Sequence, residues 1–392
     1  MRRDLKLPMR ILHVVPSFGL GGMEKIICTI VNNTFDCYDH EVLALNNCKH
    51  ASNWIKNRDV RFVDFEKSNE RRQFFRKLYG VLQKTKPEIL MTYNWGASDA
   101  IWLGRMAGIR RIIHNEHGFN VDEGKTTHWK RDMVRFIVYR LASTVIVVSR
   151  ELQTLLEQKY FLRTDQVTRI PNGIDTSYYA PNSVERQQIR KTLGFQDDNV
   201  VVGFSGRLDP IKRLDLLLDI FTSCLREHSG LRLLIVGDGP ERTRLETLCH
   251  EKNLHSYIVF AGQQENVLSY LRSMDIFLLT SLREQMPITV LEAMAVGIPV
   301  VATRVGEIPF IIDDGLDGFI HDLDASIETF VKSLLALSFR PDCIRMGETA
   351  RRKILANFQE HAMVDRYKSV IQVSAQEHSV IKGTKCGERT VV

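Results

Sequence analysis

Short apolar runs alternate with longer segments of helical periodicity along almost the whole chain. In the first half, Ile11 to Val15, Glu41 to Leu45, Glu88 to Thr92, Arg111 to His114 and Val145 to Val148 read as strands. In the second half, Val200 to Phe204, Leu231 to Val236, Ile258 to Ala261, Ile276 to Leu279 and Val300 to Ala302 repeat the theme. These runs are apolar at nearly every position, as strands covered on both faces of a parallel sheet must be. The pattern predicts an α/β chain of two doubly wound halves, 1–172 and 200–359, facing a central cleft. The turn-rich Ile170-Pro-Asn-Gly-Ile-Asp175 opens a polar stretch to Asn199 that reads as a linker over 173–199. The polar end, 377–392, reads as a disordered tail. There is no low-complexity segment and no short-period repeat.

The most informative stretch is Thr280 to Thr303. Strand Ile276 to Leu279 runs into a polar turn holding Glu284. Pro287 starts a helix that carries Glu292, and Gly297 ends it. Glu284 therefore sits at the carboxyl end of a parallel strand, the edge where open α/β sheets bind ligands. The helix start at Met286, Pro287, Ile288 and Thr289 offers N–H groups and a positive dipole end suited to a phosphate. Two carboxylates in such a place can accept hydrogen bonds from sugar hydroxyls. Taken singly, each also reads as a solvated charge.

Other loops fall at equivalent edges. Arg207 and Lys212 lie five apart around the turn set by Pro210, where two cations could clamp a diphosphate or simply face water. Gly21 and Gly22, in Gly19-Leu-Gly-Gly-Met-Glu24, allow close backbone approach to a phosphate or sugar, and Glu24 suits the first turn of a helix. His117 precedes a glycine after a strand, His114 reads as packed within that strand, and Asn94 ends another strand. Val236-Gly-Asp-Gly-Pro-Glu-Arg242 turns a strand into a helix but places Arg242 where a dinucleotide fingerprint needs its third glycine, which weighs against a nicotinamide oxidoreductase.

The glutamate segment resembles the signature of family 4 retaining glycosyltransferases, whose pattern runs E-G-x-P-x-x-x-L-E-A-M-A-x-G. Gln285 stands where that pattern has glycine. The resemblance extends from about Arg10 to Lys368. It implies the GT-B fold, two Rossmann-like domains with a last helix (about 360–376) crossing back onto the first. It implies donor-diphosphate contacts by Arg207 and Lys212, sugar hydroxyl contacts by Glu284 and ribose contacts by Glu292. It further implies donor contacts from Gly21, Gly22, Gly237 and the segment ending at Val267, and a positioning or base role for His117; Asn94, from its place at a strand end, is expected to line the acceptor side. The first-domain segments Gly21-Gly-Met-Glu24, Thr92-Tyr-Asn94, Glu116-His-Gly118 and Val148-Ser-Arg-Glu-Leu152 look like those of bacterial transferases of exopolysaccharide or surface-glycan assembly. A sugar-phosphate synthase or phosphorylase on the same fold, or a binding module without turnover, are the alternatives.

Composition narrows the partners. Net charge is +6 (53 cations, 47 carboxylates), too mild for dedicated nucleic-acid binding. Seven cysteines without a C-x-x-C pair read as reduced thiols, hence a cytoplasmic expectation. No stretch is long and apolar enough to span a bilayer, and Ile11 to Val15 is too short for a signal-peptide core. A basic amphipathic helix at 71–86 pairs Phe74, Phe75, Leu78 and Leu82 on one face with Arg72, Arg76, Lys77 and Lys84 on the other. It is expected to pack on the sheet, with peripheral contact at the inner membrane face as a further role. No D-x-D run or His/Cys cluster with metal spacing occurs, so no cofactor or metal is expected.

Overall fold

The computed structural model describes residues 8–118 and 129–383, with side chains as far as Val373. The chain divides into two compact units, Met1–Pro171 with His361–Val392, and Asn172–Glu360.

The first unit is a seven-stranded parallel sheet: β1 (Met9–Val15), β2 (Tyr38–Ala44), β3 (Arg61–Val63), β4 (Ile89–Tyr93), β5 (Ile112–Glu116), β6 (Thr144–Val147) and β7 (Val167–Arg169), in the order β3-β2-β1-β4-β5-β6-β7. Helices α1 (Gly22–Asn32), α2 (Arg71–Thr85), α3 (Asp99–Met106), α4 (Trp129–Leu141) and α5 (Arg150–Gln158) connect the strands. Ile11, Leu12, Val14 and Val15 are all buried although successive side chains point to opposite faces, so both faces of β1 are covered.

One polar chain runs through this core. The Thr34 hydroxyl donates to the Ile30 carbonyl (2.6 Å), which leaves its oxygen to accept from His40 Nε2 (2.9 Å). His40 Nδ1 then accepts from His13 Nε2 (2.9 Å), and His13 Nδ1 accepts from the Tyr93 hydroxyl (2.8 Å). One tautomer of each neutral ring satisfies every member. Burial lowers both histidines, His40 to about 4.

The second unit is a six-stranded parallel sheet of β8 (Val200–Ser205), β9 (Leu231–Val236), β10 (Ile258–Gly262), β11 (Ile276–Leu279), β12 (Val300–Thr303) and β13 (Gly318–His321), in the order β10-β9-β8-β11-β12-β13. Its helices are α6 (Ser183–Thr192), α7 (Leu214–Glu227), α8 (Arg242–Glu251), α9 (Val267–Ser273), α10 (Ile288–Val296), α11 (Ile308–Ile311), α12 (Ile327–Ser338) and α13 (Arg340–Asn357). The final helix, α14 (Glu360–Gly383), belongs to the first unit from His361 onward, with Tyr367 and Ile371 buried.

The ten expected strands are all present, and β3, β7 and β13 add to them. The stretch 173–199, expected to be linker, carries α6, whose N-cap Asn182 accepts from the Glu185 N–H (3.1 Å), and it clusters with the second unit. Of the expected tail 377–392, residues to Gly383 continue α14, and 384–392 lie outside the described residues.

Candidate active site

In the second unit the direction of winding reverses between β8 and β11, so the loops leaving their carboxyl ends diverge around a crevice. Those two loops are sewn together. The Leu282 N–H donates to the Ile211 carbonyl (2.8 Å), and the Thr280 hydroxyl reaches the carbonyls of Lys212 and Arg213 (2.9 Å each). Side chains follow the backbone: Lys212 Nζ meets Glu284 Oε1 at 2.5 Å, and the Ser281 hydroxyl donates to the same oxygen at 2.7 Å. Both charged groups are mostly buried. Arg213, directly after Lys212, holds a left-handed φ of 48°. Arg207 stands apart. Its side chain is 73% exposed and its Nε lies 3.8 Å from Asp209.

Helix α10 opens beside this pair with Pro287 as its N-cap. The preceding residue is fixed by a contact the sequence did not announce. Asn172 donates from its side chain to the Met286 carbonyl (2.9 Å) and from its backbone to Met286 Sδ (3.0 Å). Ile288 is buried and Thr289 half-buried at the first turn, where the Val290 N–H donates to the Pro287 carbonyl (3.2 Å) and the N–H groups of Ile288 and Thr289 precede any intrahelical acceptor. Gln285 is absent from the residues with positive φ, so the missing glycine of the pattern brings no backbone strain. Gly306 takes over a different need for glycine. At φ 55°, a Cβ there would lie 2.2 Å from the Glu284 carbonyl.

The two signature glutamates have unlike surroundings. Glu284 is in the loop on Lys212, whereas Glu292 is fully buried in α10 and accepts from the Tyr179 hydroxyl at 2.8 Å. Gly237 is explained by packing: φ is 130°, and a Cβ would meet the Gly206 carbonyl at 1.9 Å. Val267 begins the seven-residue α9, after Gly262 at φ 70°.

The first unit reverses its winding between β1 and β4, and the expected residues gather there and at β5. A Cβ on Gly96 would lie 2.7 Å from Pro16, so the loops after β1 and β4 touch. Gly21 caps α1 and Gly22 opens it, while the Glu24 carboxylate folds back to within 2.5 Å of where a Gly21 Cβ would stand. Burial raises Glu24 to about 7, so it is only half ionised at neutrality. Asn94 adopts φ 54°, ψ 172°, a conformation close to glycine-only territory. Its Oδ1 accepts the His117 N–H (2.8 Å), and its Nδ2 approaches Met23 Sδ (3.4 Å). The His117 ring stacks on Tyr93 with centroids 6.3 Å apart, and burial lowers its pKa to about 4. Nε2 of His117 is enclosed without a partner among the described residues.

Behind His117, buried Glu116 accepts from the Tyr139 hydroxyl (2.5 Å). Burial alone would push this carboxyl up, but His114, Tyr139 and Arg135 outweigh it and hold it below the usual range. Phe119 and Asn120, at the end of the histidine segment, lie outside the described residues. Among the described residues no group of three or more His, Cys, Asp or Glu side chains could hold a metal ion.

Comparison with known proteins covers both units. Residues 20–178 match Glycosyltransferase Family 4, and residues 185–353 match Glycosyl transferases group 1. A GDP-mannose-dependent alpha-(1-6)-phosphatidylinositol monomannoside mannosyltransferase of Mycolicibacterium smegmatis is 31% identical over 273 residues, 66% of this chain and 69% of that one. A UDP-Gal:alpha-D-GlcNAc-diphosphoundecaprenol alpha-1,3-galactosyltransferase of Escherichia coli is 25% identical over 303 residues, 75% of this chain and 77% of that one. The crystal structure of Anabaena HepE in complex with UDP-glucose superposes with a TM-score of 0.81 at 20% identity, covering 93% of this chain and 100% of that one. That likeness concerns the fold.

Proposed function

The chain belongs to glycosyltransferase family 4 and has the GT-B fold, and from that premise we propose that it transfers a sugar, with retention at the anomeric carbon, from a nucleotide diphosphate sugar to a hydroxyl of a glycan or lipid-linked acceptor in exopolysaccharide or lipopolysaccharide assembly. The observation that carries this reading is the Lys212–Glu284 pair at the switch point beside the start of α10. A leaving diphosphate gains negative charge as the glycosidic bond breaks. A helix start and a cation beside it stabilise that charge once Lys212 turns from Glu284 onto the phosphate. Lys212 takes the diphosphate, with exposed Arg207 free to swing onto it, and Glu284 then takes sugar hydroxyls. His117, neutral at pH 7, positions the sugar or the acceptor hydroxyl. The leaving phosphate oxygen takes the acceptor proton. Retention rests on the family signature, and the lipid-linked acceptor on the names of the Escherichia coli and Mycolicibacterium relatives. Their donors differ in base and sugar, so the donor is left to experiment.

The test is a screen of UDP-, GDP- and ADP-sugars with the purified enzyme in EDTA, followed by Lys212→Ala and Glu284→Ala on the accepted donor. Turnover should persist in EDTA. Either substitution should lower transfer by about 10²-fold or more with little change in melting temperature. Wild-type rates in either variant would overturn these roles, and a loss in EDTA restored by a divalent ion would overturn metal independence.

A further inference from the structure

A surface helix normally turns its apolar side inward. Helix α4 buries one aliphatic side chain, Val138, and turns most of its apolar residues outward. Its inner side carries Arg135, whose guanidinium lies 4.8 Å from the Trp95 ring centroid, and Tyr139, hydrogen-bonded to Glu116. Its outer side shows Trp129 (64% exposed), Met133 (50%), Phe136 and Ile137 (53%), and Phe161 (68%) lies against Phe136 at 6.5 Å between centroids. Positions 129, 133, 136 and 137 share one helical face. The side chains that would anchor such a helix in the core therefore point at solvent.

We propose that the outer face of α4, with Phe161, is the surface by which this chain docks on an anionic lipid bilayer. Charge chooses the occupant. On the outer side of α4, Lys130, whose ammonium lies 5.7 Å from the Trp129 ring centroid, and Arg140 stand against one carboxylate, Asp132. That carboxylate is taken by Lys159 (2.8 Å) and the Tyr160 hydroxyl (2.6 Å). Arg140 lies over the Phe136 ring at 3.6 Å and donates to the Phe161 carbonyl at 3.0 Å, so a cation sits directly on the apolar stripe. Aromatic and aliphatic side chains interleaved with Lys and Arg suit the boundary between headgroups and acyl chains. A second copy of this chain would instead bring two such cationic faces together. The helix expected to touch the membrane, 71–86, is built differently. Leu78 and Leu82 are buried, Phe74 packs on Phe65 and Phe75 on Trp102, which leaves cations outward without an apolar anchor.

The test uses the full chain in vesicle flotation, with phosphatidylcholine alone and with phosphatidylglycerol added. Binding should require phosphatidylglycerol and weaken with salt. Met133→Glu with Ile137→Glu should cut vesicle affinity by about tenfold or more, at unchanged melting temperature and unchanged transfer to a water-soluble acceptor. Arg72→Glu with Arg76→Glu should keep most of the binding. The proposal is overturned if the wild type ignores anionic vesicles, if the α4 variant binds as well as wild type, or if wild type is a dimer without lipid that the α4 variant dissociates. Vesicle binding is read without any donor sugar, so the outcome is independent of the donor chemistry proposed above.

Discussion

Asn94 holds the least comfortable backbone in the first unit's site. A residue with a side chain at φ 54°, ψ 172° costs on the order of 1–3 kcal/mol. The side chain that makes the conformation costly also fixes the His117 N–H and approaches α1 at Met23. Asn94→Gly separates these effects. Glycine relieves the backbone, so melting temperature should hold or rise, while transfer should fall because His117 loses its anchor. Wild-type transfer in Asn94→Gly would remove Asn94 from the site. At this scale the sequence showed which polar residues follow the strands and was silent about how they are held. Lys212, Glu284, Asn94 and His117 were legible because each follows an apolar strand run. The Asn172 contact with Met286 and the Tyr179 contact with Glu292 each span more than a hundred positions, and no local pattern encodes them. Arg207 was read correctly as a loop cation, but its exposure depends on a side-chain path that spacing does not fix.

Among elements, the buried His13–His40 chain joins β1, β2, β4 and the end of α1, and it makes the first unit sensitive to acid. His40 stays neutral in the folded state down to about pH 4, as does His117, whereas unfolded histidine binds a proton below about 6.5. Between those values the unfolded state holds more protons, so stability is complete above pH 6.5 and is lost as pH falls towards 4. Glu24 acts in the opposite sense: raised to about 7, it stabilises below about 4.5 and its contribution fades as pH rises through 7. Three lowered histidines outweigh one raised carboxyl, so acidification should lower the melting temperature. His40→Gln, which keeps a donor and an acceptor but does not titrate, should show a shallower fall between pH 6.5 and 4.5. An equal slope would place the acid-sensitive groups elsewhere. The long strands were readable from continuous apolar runs. The three-residue β3 and β7 were not, because three residues are too few to set a period, nor was the four-residue edge strand β13. Helix α6 was hidden by a strongly polar sequence with one buried side chain, Arg190.

For the whole molecule, the chain crosses between units at residues 171/172 and again at 360/361. The second-unit ends of both crossings are bonded together: Ile174 donates to the Phe358 carbonyl (2.8 Å), and Glu360 donates to the Ile174 carbonyl (3.0 Å). Gly173 makes the approach possible, since a Cβ there would stand 2.7 Å from the Gln359 carbonyl oxygen. Gly173→Ala should therefore destabilise by about 1–3 kcal/mol, a shift of several degrees by calorimetry. An unchanged melting temperature would mean that the two segments are apart in solution. The Pro-Asn-Gly of this crossing was legible as a turn. That it also clamps the returning chain was not, since Gln359, which Gly173 approaches, lies 186 positions later.

The Lys212–Glu284 pair has a consequence for selectivity among anions. The Lys212 ammonium is neutralised by Glu284, and Ser281 steadies the carboxylate. A bare phosphate or spent nucleotide that draws the lysine away leaves a mostly desolvated carboxylate with a weaker set of donors. An intact donor brings phosphate and hydroxyls at once and can satisfy both halves of the separated pair. On the donor chemistry proposed above, the crevice would hold an intact donor better than the diphosphate left after transfer, which favours exchange of product for fresh donor between turnovers.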